Sequence, residues 1–262
     1  MHRLFLAVLL SLFASAAAAS YQSTRLVYTV SWGNILLAKS QLDYKFGDDD
    51  ARISASVDSD GFIAFFSSFQ SRAKADLVLK DAGWTPETLF MERISGRKTV
   101  QSRVAWDDDS NVSTESRVPE MDLGEVYPLT AQMRVNVLDP YSAVLRLIRH
   151  IETTGDCTKS YEVFDGRRRN RLHFETLGTT NLTETRPGEF AGEALICSLE
   201  FEPIGGHQID SKWRSDDKDD DDRINFFFGR PLQGQIVPVR VEVDSWIGTI
   251  VGRLDIRKMT VQ

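Results

Sequence analysis

The sequence predicts a mainly β protein: a large curled antiparallel sheet, or open β-barrel, wrapped around one main α-helix at about residues 139–154. Two observations carry this expectation. Through most of the 262-residue chain, apolar and polar residues alternate with period two, the pattern of a sheet with one wet face. Asp139 to Gly155 is the one long stretch with helical period instead. Its apolar stripe must be buried, and a sheet is the only large surface on offer to bury it.

Met1 to Ala19 reads as a secretory signal. His2 and Arg3 form the positive start, Leu4 to Phe13 the apolar run, and Ala17 to Ala19 a small-residue cleavage site. The run is ten residues, too short for a bilayer, which takes about 20. No cysteine follows it to carry a lipid anchor. Residues 20–262 are therefore expected to form a single all-β-dominated domain, periplasmic and not membrane-spanning. Cleavage removes Arg3 and no acid, leaving 30 bases against 38 acids, a balance of −8. An acidic chain of this kind is not expected to bind nucleic acid.

Alternation then announces strands. Leu26, Tyr28, Val30 and Trp32 share one face, and Leu42, Tyr44 and Phe46 another. Ile53, Ala55 and Val57 follow, then Ala73, Ala75, Leu77 and Leu79, then Val100, Ser102, Val104 and Trp106. Between them, Phe62, Phe65, Phe66 and Phe69 are spaced as one face of a short second helix near 62–69. They could form a turn tucked on the sheet or an apolar lid over a cavity, so they are candidate ligand contacts. From Pro119 to Met133 the pattern lapses into a long connection, followed by an expected strand at Arg134 to Leu138.

In the main helix, Asp139 supplies a capping oxygen and Pro140 occupies the first helical position, where its missing N–H costs nothing. Val144, Leu147, Ile148 and Ile151 make the stripe, and Gly155 can take the left-handed turn that ends it. Cys157 comes next, on the same parity as Tyr161 and Val163. Asp165-Gly166 between two β-like runs is the signal for a two-residue type I′ hairpin. That register would pair Phe164 with Arg167 and set Glu162 against Arg169. Further on, Cys197 lies on the apolar side of its strand with Leu195 and Leu199. Two cysteines in an exported chain point to a Cys157–Cys197 disulfide, and the long loop it closes is worth roughly 4 kcal/mol. Val237 to Val243 and Ile250 to Ile256 read as a last hairpin, expected to close or edge the sheet.

These features also carry a resemblance. Asp139-Pro140-Tyr141-Ser142-Ala143, Cys157, Val163-Phe164-Asp165-Gly166-Arg167-Arg168, Cys197, Pro238-Val239-Arg240 and Gly248 together resemble the bacterial exported family called domain of unknown function 3108. The resemblance spans nearly the whole mature chain. It implies a fold similar to the open β-barrels of periplasmic lipoprotein carriers, with helical plugs on the concave side. It implies no activity and supplies no catalytic residue.

Chemistry-bearing motifs are few. His150, His173 and His207 have neither H-x-H nor H-E-x-x-H spacing, so no zinc site is signalled. There is no G-x-S-x-G elbow or phosphate-binding glycine loop. The acids clustered at Asp216 to Asp222 lack the glycine and distal glutamate of an EF-hand. Arg167, Arg168, Arg169 and Arg171 form a basic cluster, and Arg168 is a candidate contact for an anionic headgroup. The expectation is a non-enzymatic periplasmic protein without a cofactor or metal, binding a lipid or another hydrophobic or amphipathic envelope component. The alternatives are an envelope interaction scaffold and a cell-wall or lipid hydrolase.

Overall fold

Strand formation follows the alternation closely. The computed structural model describes residues 22–61, 68–120, 122–209, 223–231, 234–244 and 248–261. The first half is a meander of β1 (Gln22–Trp32), β2 (Ile35–Phe46), β3 (Asp50–Ser59), β4 (Phe69–Lys80), β5 (Gly83–Ser95), β6 (Lys98–Trp106) and β7 (Val112–Val118). The helix α1 (Pro140–Thr154) comes next. A second meander follows: β8 (Lys159–Phe164), β9 (Arg169–Leu182), β10 (Gly192–Gly205), β11 (Ile224–Gly229), β12 (Val237–Val243) and β13 (Ile250–Leu254), with the short β14 (Thr260–Val261) at the end.

All the described strands belong to one antiparallel sheet. Its order runs from β7 through β1, then β13, and on to β8. The last hairpin, expected at a margin or a closure, instead lies mid-sheet, where β13 joins the two halves through Tyr28↔Leu254 and Trp32↔Ile250. β14 pairs with the start of β1.

Register shifts bend this sheet around its contents. Three of them fall at prolines inside strands: Leu77↔Pro86, Phe228↔Pro238 and Pro203 beside Gly205. Proline cannot donate to a ladder, so within a strand it survives at a bulge, and a bulge adds bend and twist.

The concave side is packed. One cluster joins Leu26, Tyr44, Ile53, Leu77, Leu89, Val104 and Leu145. The other joins Leu147, Ile151, Cys157, Val163, Leu172, Phe174 and Cys197. α1 lies between them and feeds both. Asp139 caps it, accepting from the Tyr141 and Ser142 N–H groups at 2.8 and 3.1 Å. Gly155 ends it at φ +75°, its N–H bonded to Ile151. Leu147 and Ile151 are buried as the stripe requires, while Val144 is only half-buried and Leu145, off the expected stripe, is buried in its place. The helix therefore presents two apolar flanks, because sheet surrounds it on more than one side. Cys157 and Cys197 are bonded, with Cα atoms 6.2 Å apart.

Among the described residues the sheet does not close into a barrel. β7 and β8 are its ends, and the 119–139 connection spans the gap between them. The expected strand at Arg134 to Leu138 is not formed. A short 3₁₀ turn ends at Arg134, and Asn136 adopts φ +49°, which breaks an extended run. Leu138 alone makes a parallel bridge to Val163, donating to Glu162 O at 2.9 Å and accepting from Phe164 N at 2.8 Å. Val137 N donates to Ser110 O at 3.0 Å, in the β6–β7 turn.

The hairpin also departs from expectation. Phe164 pairs with Arg169 and Glu162 with Arg171, two residues further on than a type I′ turn would give. Gly166 takes φ +82°, but Asp165 does not take positive φ. Its carboxylate instead accepts from the N–H groups of Arg167 and Arg168, at 3.0 and 2.7 Å, and this side-chain turn sets a four-residue loop. A slip of two preserves the faces. Glu162 then meets two arginines, Arg169 at 2.9 Å and Arg171 at 2.5 Å.

Candidate functional site

An apolar recess lies where α1 leans over β1, β2 and β5. Tyr44 and Phe46 alternate on one face of β2, with ring centroids 5.9 Å apart, and Phe46 meets Trp84 at 5.6 Å. Gly83 precedes Trp84 at φ +101°, and a Cβ there would come within 3.3 Å of the Arg146 stem. That close approach lets Arg146 reach β5: its Nε donates to Trp84 O at 2.6 Å and its Nη2 to Thr85 Oγ1 at 3.0 Å. The helix is thereby held at a fixed height over the aromatic wall.

Between them is a pocket of about 330 Å³, walled by Tyr44, Phe46, Trp84, Leu145, Ile148 and Val237. Its volume is in the small-molecule range of ~300–1,000 Å³. Gln22, Arg149, Glu152 and Gln235 ring it with polar groups. In its wall the buried Thr24 hydroxyl has no hydrogen-bond partner among the described residues. Burial pushes the Tyr44 and Tyr141 phenols upward, so both are neutral. The recess offers an apolar body, a spare hydroxyl and a charged mouth, the complement of an amphipathic molecule.

A larger cleft of about 660 Å³ follows the open seam, lined by Glu115, Arg117, Glu120, Val126, Leu129 and Arg134. Glu115, Arg117, Glu120 and Arg134 put four charges on its wall. Beside it Arg168 bonds Asp165 through Nε at 2.9 Å and Nη2 at 2.7 Å.

Of the expected phenylalanine lid, only Phe69 lies among the described residues. Phe62, Phe65 and Phe66 lie outside the described residues. Phe69, expected at the end of a short helix, instead opens β4, paired with Ser95 and donating its N–H to Ser59 Oγ at 3.0 Å. Ile148 was legible as helix stripe, but Tyr44 and Phe46 read only as strand residues, and Trp84 fell in no expected element. Alternation assigns a face; it cannot say which strand ends meet which turn of helix.

On the outer surface of β8–β10, Ser160 Oγ lies 2.8 Å from His173 Nδ1, and His173 Nε2 lies 3.3 Å from Glu202. The chain of atoms resembles a hydrolase triad. However, the His173 and Glu202 side chains are 40% and 49% exposed, and Arg171 also holds Glu202, at 2.7 Å. A nucleophile–base pair draws its power from a desolvated, oriented setting, and this one is bathed in water on a strand face. Among the described residues no group of three or more His, Cys, Asp or Glu could hold a metal ion. None of the described helices is long and apolar enough to cross a membrane.

Among the described residues, an open antiparallel sheet curled on one α-helix, with an apolar recess at the helix flank, defines a β-barrel-like class of protein. A crystal structure titled a β-barrel-like protein of domain of unknown function DUF1849, from Brucella abortus, is similar at a TM-score of 0.53 and 10% identity, over 92% of this chain and 98% of that one. The likeness concerns fold alone. Residues 27–255 match the family described as Protein of unknown function (DUF3108), and the chain belongs to that family. Among curated proteins, none matches the chain.

Proposed function

We propose that this chain is an exported, non-enzymatic binding protein of the cell envelope that holds an amphipathic ligand between α1 and the β2–β5 wall. The observation that carries the reading is the 330 Å³ recess of Tyr44, Phe46, Trp84, Leu145 and Ile148, with its orphaned Thr24 hydroxyl and polar rim. Apolar walls gain by covering hydrocarbon, while the rim keeps a polar head in water. Export is supported by the leader-like Met1 to Ala19 and by the disulfide, a bond that persists in oxidising compartments.

The test uses protein purified as residues 20–262. Organic extraction followed by mass spectrometry should release a lipid or lipid-like molecule, and a lipophilic dye should brighten on the extracted protein. Ile148→Glu, which places a charge in the recess wall, should abolish the dye response with the fold intact by circular dichroism. A clean extract and a silent dye would refute the reading.

The second reading is an interaction scaffold, favoured by β7, an end strand whose residues Ser113 to Ser116 are all exposed. An unpaired edge can accept a partner's strand. A crosslinker placed at Ser116 would then capture one discrete partner, and the extract would be clean.

A further inference from the structure

The seam end of the sheet brings four arginines together, Arg93 and Arg168 exposed and Arg117 and Arg167 partly buried. Direct cross-strand partners share a face. Met91 pairs with Ser102 and Ser102 with Arg117, while Ser71 pairs with Arg93 and Arg93 with Val100. Arg93 and Arg117 therefore occupy the same face as the buried Ser102 and Val104, on adjacent rows. The β8–β9 turn closes over this spot. A Cβ on Gly166 would lie 2.8 Å from Val104 Cγ2 and 3.2 Å from Ser102 Cβ, so the turn sits directly on β6. It adds Arg167 and Arg168. All four arginines line one small cavity of about 80 Å³.

Counter-charge is short. Asp165 is committed to Arg168 and to the two turn N–H groups. Glu92 accepts from Gln101 at 2.6 Å, and Glu115 pairs with Arg134. Arg93, Arg117 and Arg167 have no ion pair among the described residues, and the Nε groups of Arg117 and Arg167 are buried without a hydrogen-bond partner. Burial, together with the neighbouring arginines, lowers the pKa of both, against the opposing pull of Asp165. Buried unpaired donors and converging like charges are each destabilising.

We propose that Arg93, Arg117, Arg167 and Arg168 form an oxyanion site that takes a phosphate-class group carrying two negative charges. Forked guanidinium donors match such oxygens in bidentate fashion. The site is separate from the apolar recess. Trp84 and Arg93 are nine residues apart on β5, roughly 30 Å at strand rise, so Ile148→Glu tests one and leaves the other alone.

The test titrates inorganic phosphate into the mature protein by calorimetry and thermal shift at low salt, where such attraction is least screened. Phosphate should bind and raise the Tm. Arg117→Gln and Arg167→Gln should each weaken binding at least tenfold, yet leave the ligand-free Tm equal or higher, since each removes a repelled charge. Arg25→Gln, at an exposed pair with Asp43, should change nothing. Sedimentation with vesicles of phosphatidic acid against phosphatidylcholine separates the two sources of the group. Arginine-dependent pelleting with the former assigns a lipid headgroup, and phosphate binding without pelleting assigns a free anion. Absence of phosphate binding, or a ligand-free Tm lowered by both substitutions, would overturn the proposal.

Discussion

Asp139 is fully buried and still saturated: it takes the Tyr141 and Ser142 N–H groups and the Ser142 hydroxyl. Burial pushes its pKa up against those bonds. Asp139→Ala should cost about 2 kcal/mol in urea unfolding, the upper end for a lost cap, and Asp139→Asn should cost less. Asp156 is the opposite case. Hydrogen bonds from Thr176, then Thr158, lower its pKa from 3.8 to about 2. A depressed carboxylate contributes stability that is present above 3.8 and is lost as pH falls through about 2. The midpoint of Asp156→Asn should therefore fall less steeply than wild type between those values, as read by thermal melts across that range. The Asp139 cap was legible because Asp-Pro before a striped run is a local signal. The Asp156 role was not, because Thr176 lies across the sheet.

α1 makes the two clusters into one interior. Leu147 is fully buried at its centre, and Leu147→Ala should cost about 2–5 kcal/mol by chemical denaturation. Replacing both cysteines by alanine frees a loop of 40 residues and should cost roughly 4 kcal/mol in the same assay. Gly166→Ala should cost about 1 kcal/mol or more, since φ is +82° and the new methyl would meet Val104. Helix, disulfide and hairpin were all readable from spacing. The hairpin register was not, because Asp165 can either take positive φ or cap the turn with its side chain, and only the loop that docks on β6 decides. Leu145 was missed for a related reason. A stripe count assumes one buried face, and this helix has sheet on two.

At the scale of the molecule, the two ends of the sheet differ. β8 is covered through Leu138, whereas the outer edge of β7 has no strand beside it among the described residues. Native-state hydrogen exchange should therefore show β7 amides exchanging well before those of β8. Equal protection would mean that the seam is sealed more fully than its bridges indicate. Fold class was legible because sheet period and a lone helix leave few arrangements. Strand order was legible only between neighbours in sequence, and nothing local marks the partnership of β1 with β13 and β14. That partnership constrains how the chain is made. β1 is the first of the described strands to emerge during synthesis, but one of its sides has no hydrogen-bonding partner among the described residues until 250–261 appear. Until then the nascent protein carries a bare, adhesive ribbon margin. Safe folding depends on keeping that margin shielded until residues 250–261 arrive.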